Sequence, residues 1–138
     1  MINNGKLTAK KVTGVKRVLV QAASADGNAV SNVCTVTIYP ATTAVSIYDS
    51  TGANVTNNKA EVVFEENMSF TLKNAPASAM QGWTAKSANK GVTCEVEGDR
   101  LTLKCDTTRT IKANTKVAIT VTAADGSNKN AKVTVTVK

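Results

Sequence analysis

The chain has 138 residues, of which 42% are hydrophobic and only 4% aromatic, with a formal charge of +7. That length holds one domain of about 100 residues plus a fragment, and the apolar share suits a packed aliphatic core and excludes a disordered tail. No apolar run approaches the roughly 20 residues of a membrane span, so no membrane insertion is expected.

Period-two alternation dominates from end to end. It predicts strands at Leu7–Lys11, Arg17–Ala23, Val33–Tyr39, Ala44–Tyr48, Ala60–Phe64, Ser69–Lys73, Gly82–Ser87, Val92–Val96, Arg100–Cys105, Lys116–Thr122 and Lys132–Val137. In the strongest of these one face is apolar (Val117, Ile119, Val121; Val133, Val135, Val137) and the other carries Thr and Lys. Such a strand buries one side of an antiparallel sheet and wets the other. Asp26-Gly27, Thr51-Gly52, Gly98-Asp99 and Asp125-Gly126 punctuate the strands as turns. Ala75–Gln81 is the nearest helical candidate, long enough for one turn. Many short strands in about 100 residues read as an all-β, immunoglobulin-like antiparallel β-sandwich, with a small barrel as the alternative.

The chain also repeats itself. Val18–Ile38, VLVQAASADGNAVSNVCTVTI, aligns without a gap with Val117–Val137, VAITVTAADGSNKNAKVTVTV, 99 residues later. Leu7–Lys10 matches Leu101–Lys104 after an insertion of five residues in the second copy. A fixed period marks a modular array. Residues 41–138 read as a complete module, and residues 1–40 as the closing strands of another, joined at Tyr39-Pro40-Ala41. We expect an excerpt of a longer array; the alternative is a short native protein whose missing strands another chain completes. Val18, Val20, Val36 and Ile38 need a partner sheet. They are expected to pack on the full module or to self-associate through residues 1–40.

Residues 1–40 hold five basic and one acidic side chain, a surplus of four, and Lys10, Lys11, Lys16 and Arg17 form the densest basic cluster. This is either a solvated edge face or an attractor of anionic surfaces. The stacking aromatics of single-strand nucleic-acid binders are missing, so no specific nucleic-acid partner is expected. The three cysteines, Cys34, Cys94 and Cys105, cannot all pair within the chain. Cys34 stands where the other copy has Val133, so it is expected to act as a small core hydrophobe. A two-residue turn at Gly98-Asp99 sets Val92, Cys94, Val96, Leu101, Leu103 and Cys105 on one face, with Cys94 opposite Leu103. Cys105 then lies about 7–8 Å away on the diagonal, beyond easy disulfide reach, so free thiols are expected unless a bulge shifts the register.

No histidine is present, which removes Ser-His-Asp and Cys-His nucleophiles and His-based zinc sites. No CxxC pair and no phosphate-binding glycine loop occurs. Glu95 and Glu97 point away from the apolar face of their strand, and Glu65-Glu66 has no partner base. No catalytic residue, metal site or cofactor is therefore expected, and the chain reads as a non-enzyme.

The stretch Gly82–Cys105, GWTAKSANKGVTCEVEGDRLTLKC, resembles the signature of the group 2 bacterial immunoglobulin-like domains of invasin- and intimin-related surface proteins. Trp83, Ser87 and Asn89 precede an alternating strand with Val92, Cys94 and Val96; Gly98 turns it; Leu101 and Leu103 follow. Two steps depart from the pattern. Where the family often has Gly-Thr before its penultimate strand, this chain has Ala113-Asn114-Thr115 and, in the first copy, Gly14-Val15. The resemblance implies a spacer or adhesion module, strung in series with neighbouring modules on a bacterial cell surface or a phage particle.

Trp83 is expected in the core with Val92, Val96, Leu101, Leu103, Val117, Ile119, Val121, Val133 and Val135; the competing reading is an exposed platform for a sugar ring. Candidate ligand contacts are Tyr48, on the polar side of its strand, and the oxygen-rich loop with Asp49, Asn54, Asn57 and Asn58. Recognition is expected on loops Asp49–Lys59 and Ala75–Gly82. Three functions fit: a structural spacer or adhesion module of a cell-surface protein that meets host-cell or glycan surfaces, a virion decoration module, and an accessory carbohydrate-binding module.

Overall fold

The computed structural model describes residues 2–3, 5–62, 67–106 and 108–138. Twelve strands lie among them: β1 (Ile2–Asn3), β2 (Lys6–Leu7), β3 (Lys16–Val20), β4 (Cys34–Ile38), β5 (Ala44–Tyr48), β6 (Lys59–Val62), β7 (Asn67–Ala75), β8 (Trp83–Ser87), β9 (Val92–Glu97), β10 (Arg100–Cys105), β11 (Lys116–Ala123) and β12 (Asn130–Val137). From Ala44 onward they form two four-stranded sheets, ordered β5-β7-β10-β9 and β6-β12-β11-β8. The chain is all-β, and this part of it is a sandwich. With β6 taken as the second half of the first strand, the sheets are A-B-E-D and A′-G-F-C, the strand order of an immunoglobulin-type fold. β6 pairs in parallel with β12, whereas every other pairing is antiparallel.

The alternation seen in sequence is what closes the core. Val117, Ile119, Val121, Val133, Val135 and Val137 from one sheet meet Ile47, Phe70, Leu72, Leu101 and Leu103 from the other, all of them nearly fully buried. Their neighbours in sequence face outward, so each strand buries one side only. Val92 belongs to this core, while Val96, Cys94 and Cys105 are half-buried against it. β9 is the edge strand of its sheet.

The register of the β9–β10 hairpin is the expected one: Leu101↔Val96, Leu103↔Cys94 and Cys105↔Val92. All three cysteines are free thiols. Where β9 begins, Gly91 is buried with Ile111 folded over it; a β-carbon there would sit 2.2 Å from Ile111 Cδ1 and 2.3 Å from Cγ1. Gly91→Ala should therefore cost about 1–3 kcal/mol by overpacking. Pairing it with Ile111→Ala should return part of that loss, a non-additivity that a double-mutant cycle in urea would read.

Three expectations shift. The strand placed at Leu7–Lys11 is only Lys6–Leu7, and the one at Arg17–Ala23 stops at Val20. Ala75–Gln81 is not a helical turn: β7 runs through Ala75, and a tight turn follows, closed by the Ala79 N–H donating to the Pro76 carbonyl at 2.8 Å. Phe64 and Glu65-Glu66 lie outside the described residues.

The N-terminal segment forms two separate two-stranded sheets, β1–β2 and β3–β4. Cys34, expected in a core, is exposed here. Its counterpart Val133 is 0% exposed. The difference is not chemical: no opposing sheet covers β4 among the described residues, so the same position faces solvent.

Candidate functional site

In the loop after β5, Asp49 and Asn54 each turn a side-chain oxygen onto the loop itself. Asp49 Oδ1 accepts from the Thr51 and Ala53 N–H groups at 2.9 and 3.0 Å and from the Thr51 hydroxyl at 2.6 Å. The Thr51 hydroxyl first, and then the backbone donors, hold the Asp49 carboxyl below its ordinary range. Asn54 Oδ1 accepts from the Thr56 N–H at 3.0 Å. The Asn57 N–H donates to the Lys132 carbonyl at 2.6 Å, and the Asn58 carbonyl accepts from the Thr134 N–H at 3.1 Å. Asn57 takes a φ of 61°, which asparagine tolerates better than most residues. The polar loop is thus the crossing by which the first strand leaves one sheet and joins the other. It brings Asp49, Asn54, Asn57 and Asn58 onto one loop, but not as a convergent set of free acceptors.

Tyr48 stands on the outer face, as its place in the alternation requires, and is half-buried. The Lys73 ammonium lies 5.0 Å from its ring centroid, so a cation–π contact already covers one face.

Trp83 is buried, 8% exposed, with its indole N–H donating to Asn74 Oδ1 at 2.7 Å. Asn74 is itself buried, and its amide donates to the Met80 carbonyl at 2.9 Å. Its backbone N–H donates to Gln81 Oε1 at 2.9 Å. Loop 75–82 is therefore stitched to the core tryptophan, and the ring is not a platform for a sugar. Asn74 was invisible in sequence, because nothing in a lone Asn before Ala-Pro distinguishes a buried acceptor from a turn residue.

The junction between the N-terminal segment and the sandwich holds an open groove of about 370 Å³ lined by Lys10, Lys11, Tyr39, Met80 and Asp125 among others. Pro40 beside it is buried. Asp125 Oδ2 accepts from the Thr42 N–H at 2.7 Å, across 83 positions of sequence, and Oδ1 from the Ser127 N–H at 3.0 Å. Partial desolvation pushes this carboxyl up, but the hydrogen bonds from Ser127 and Thr42 outweigh it and hold the group well below the usual carboxylate range. Its counterpart Asp26 turns inward on its own hairpin. The Ser24 hydroxyl, chiefly, and the Asn28 N–H and amide hold its carboxyl at about 2.

Asp125→Ala should lower stability by about 1–3 kcal/mol, because Thr42 is buried and its N–H would lose its acceptor. The folded-state pKa lies below the unfolded one, so this stabilisation is complete above the unfolded Asp pKa of about 4 and is lost as pH falls below it. Melting curves of the two proteins should differ fully near pH 7 and converge in acid. A constant gap down to pH 2 would remove the carboxylate from the account.

Lys10, Lys11, Lys16 and Arg17 are all exposed and spread over a loop and β3. Burial raises the Cys94 thiol above its ordinary value, which makes it a poor nucleophile. Among the described residues, no three Asp, Glu or Cys side chains gather where they could hold a metal ion, and no helix is long and apolar enough to cross a membrane. No protein-family model matches the chain, and no curated protein sequence matches it.

Proposed function

We propose that the chain is a non-enzymatic spacer and adhesion module of a bacterial cell-surface protein, built to be strung in series. The observation that carries this reading is the parallel pairing of β6 with β12. The first strand and the last run the same way, so the chain enters the sandwich at one end and leaves at the other. Modules joined this way extend end to end, each adding roughly 27 Å for eight strand residues at about 3.4 Å apiece. Buried Pro40 and the Asp125–Thr42 hydrogen bond support a stiff joint at the entry end. Recognition would fall to loops at the module ends.

The cell-surface half of the proposal rests on the resemblance of Gly82–Cys105 to bacterial surface modules. An antibody raised against the folded chain should label intact cells of the source without lysis. Labelling that appears only after lysis, or only on phage particles, would overturn that half.

A further inference from the structure

We propose that the N-terminal segment is a strand acceptor, whose β3–β4 hairpin binds a β-sheet segment on the pattern of β5 to β8 and so completes a second sandwich. The inference rests on the tandem half of the proposal above and not on its cell-surface half. The template lies within the molecule. Arg17↔Thr37, Val18↔Val36 and Val20↔Cys34 reproduce Lys116↔Thr136, Val117↔Val135 and Ile119↔Val133 with every residue shifted by 99. The small β1–β2 hairpin does the same for the tip of β9–β10. Ile2↔Leu7 and Asn3↔Lys6 stand 94 residues before Val96↔Leu101 and Glu97↔Arg100, with a positive-φ glycine in each turn, Gly5 and Gly98. Residues 2–38 therefore hold counterparts of β9 to β12, and the strands left without a counterpart among them are β5 to β8.

What those four strands do in the sandwich defines what the acceptor takes. β8 pairs antiparallel along Ile119–Ala123, and β6 pairs parallel along Thr134–Val137. The counterpart edges, from Val20 on and at Thr35–Ile38, carry no strand among the described residues. The counterpart face is only partly covered: Val18 is 40% exposed where Val117 is 1% exposed, and Val20, Val36 and Ile38 are half-buried where Ile119, Val135 and Val137 are fully buried. Near its tip the first hairpin slips by one residue, bridging Ala23 to Val30 where the sandwich register would give Ser31. This is the stretch that β8 flanks in the sandwich. A two-stranded hairpin is marginal in water by itself.

The occupant must offer both an apolar face and two edge-pairing strands. A folded second copy does not fit, because its own Ile47, Leu72 and Trp83 are buried in its own core. Two β3–β4 hairpins packed face to face would cover the valines and leave both edges open. A segment with the alternation of residues 44–87 meets all three demands.

The test is the reactivity of Cys34, exposed here and the counterpart of fully buried Val133. A fusion places an added copy of residues 41–95 directly ahead of Ile2 of the full chain. Labelling by a small thiol reagent, resolved by peptide mass, should slow at Cys34 by about tenfold or more relative to the unfused chain. A control fusion whose added copy carries Ile47→Asp, Leu72→Asp and Trp83→Asp should leave Cys34 as reactive as before. Equal reactivity in both fusions would overturn the proposal. Concentration-dependent protection of Cys34 in the unfused chain, with a dimer by light scattering, would overturn it in favour of self-association.

Discussion

Replacing Trp83 by alanine should destabilise the sandwich by about 3–5 kcal/mol, the range for removing a large aromatic from a core. The side chain is only 8% exposed and packs in the same cluster as Leu72, Val121 and Ala123. Its N–H meets Asn74 Oδ1 at 2.7 Å, so truncation also leaves a buried acceptor unpaired. Trp83→Phe separates the two contributions. It keeps most of the apolar volume but orphans Asn74, and should cost about 1–3 kcal/mol. Trp83 is the sole tryptophan, so circular dichroism in urea is the suitable probe for all three proteins. An unchanged midpoint for Trp83→Ala would sink the core assignment and revive the sugar platform. In that event glycan retention, not stability, would follow the ring.

How much of this was legible in the sequence depends on whether the determinant was local. β5 and β10 fall where alternation places them, and the β9–β10 register follows from the turn at Gly98-Asp99. Both depend on period and turn chemistry, which the residues carry themselves. The crossing of the first strand from one sheet to the other was not legible. It depends on the Asn57 and Asn58 backbone meeting Lys132 and Thr134, a long-range pairing that leaves no periodic trace. The candidate loop was legible from its oxygen-rich composition; that Asp49 and Asn54 accept within the loop was not, since local turn geometry sets it. Asn74 was missed for the opposite reason, since burial of a polar residue is set by what closes over it. Cys34 was misplaced because a repeat was taken to guarantee an environment. Letters repeat; the covering sheet does not.

Ile119 is 0% exposed at the centre of β11, paired with Val133 on one side and Ser87 on the other. Ile119→Ala should cost about 2–5 kcal/mol, since the removed methylenes leave a cavity that strands on both sides prevent from collapsing. On the first copy of the repeat, Val18 occupies the counterpart of Val117, on the same face as Ile119 and two residues along, yet is 40% exposed. Val18→Ala should move the sandwich's unfolding by no more than about 0.5 kcal/mol, as for an ordinary surface substitution. Denaturation of the two variants beside the parent checks both. A large loss for Val18→Ala would mean that the N-terminal hairpin is already packed against something in solution. Since strand edges and apolar face would then no longer be open, the same result would count against an acceptor awaiting its strands. Near-equality of Val18→Ala with the parent, together with a deep loss for Ile119→Ala, is the pattern expected if one repeated sequence sits once inside a finished sandwich and once outside it.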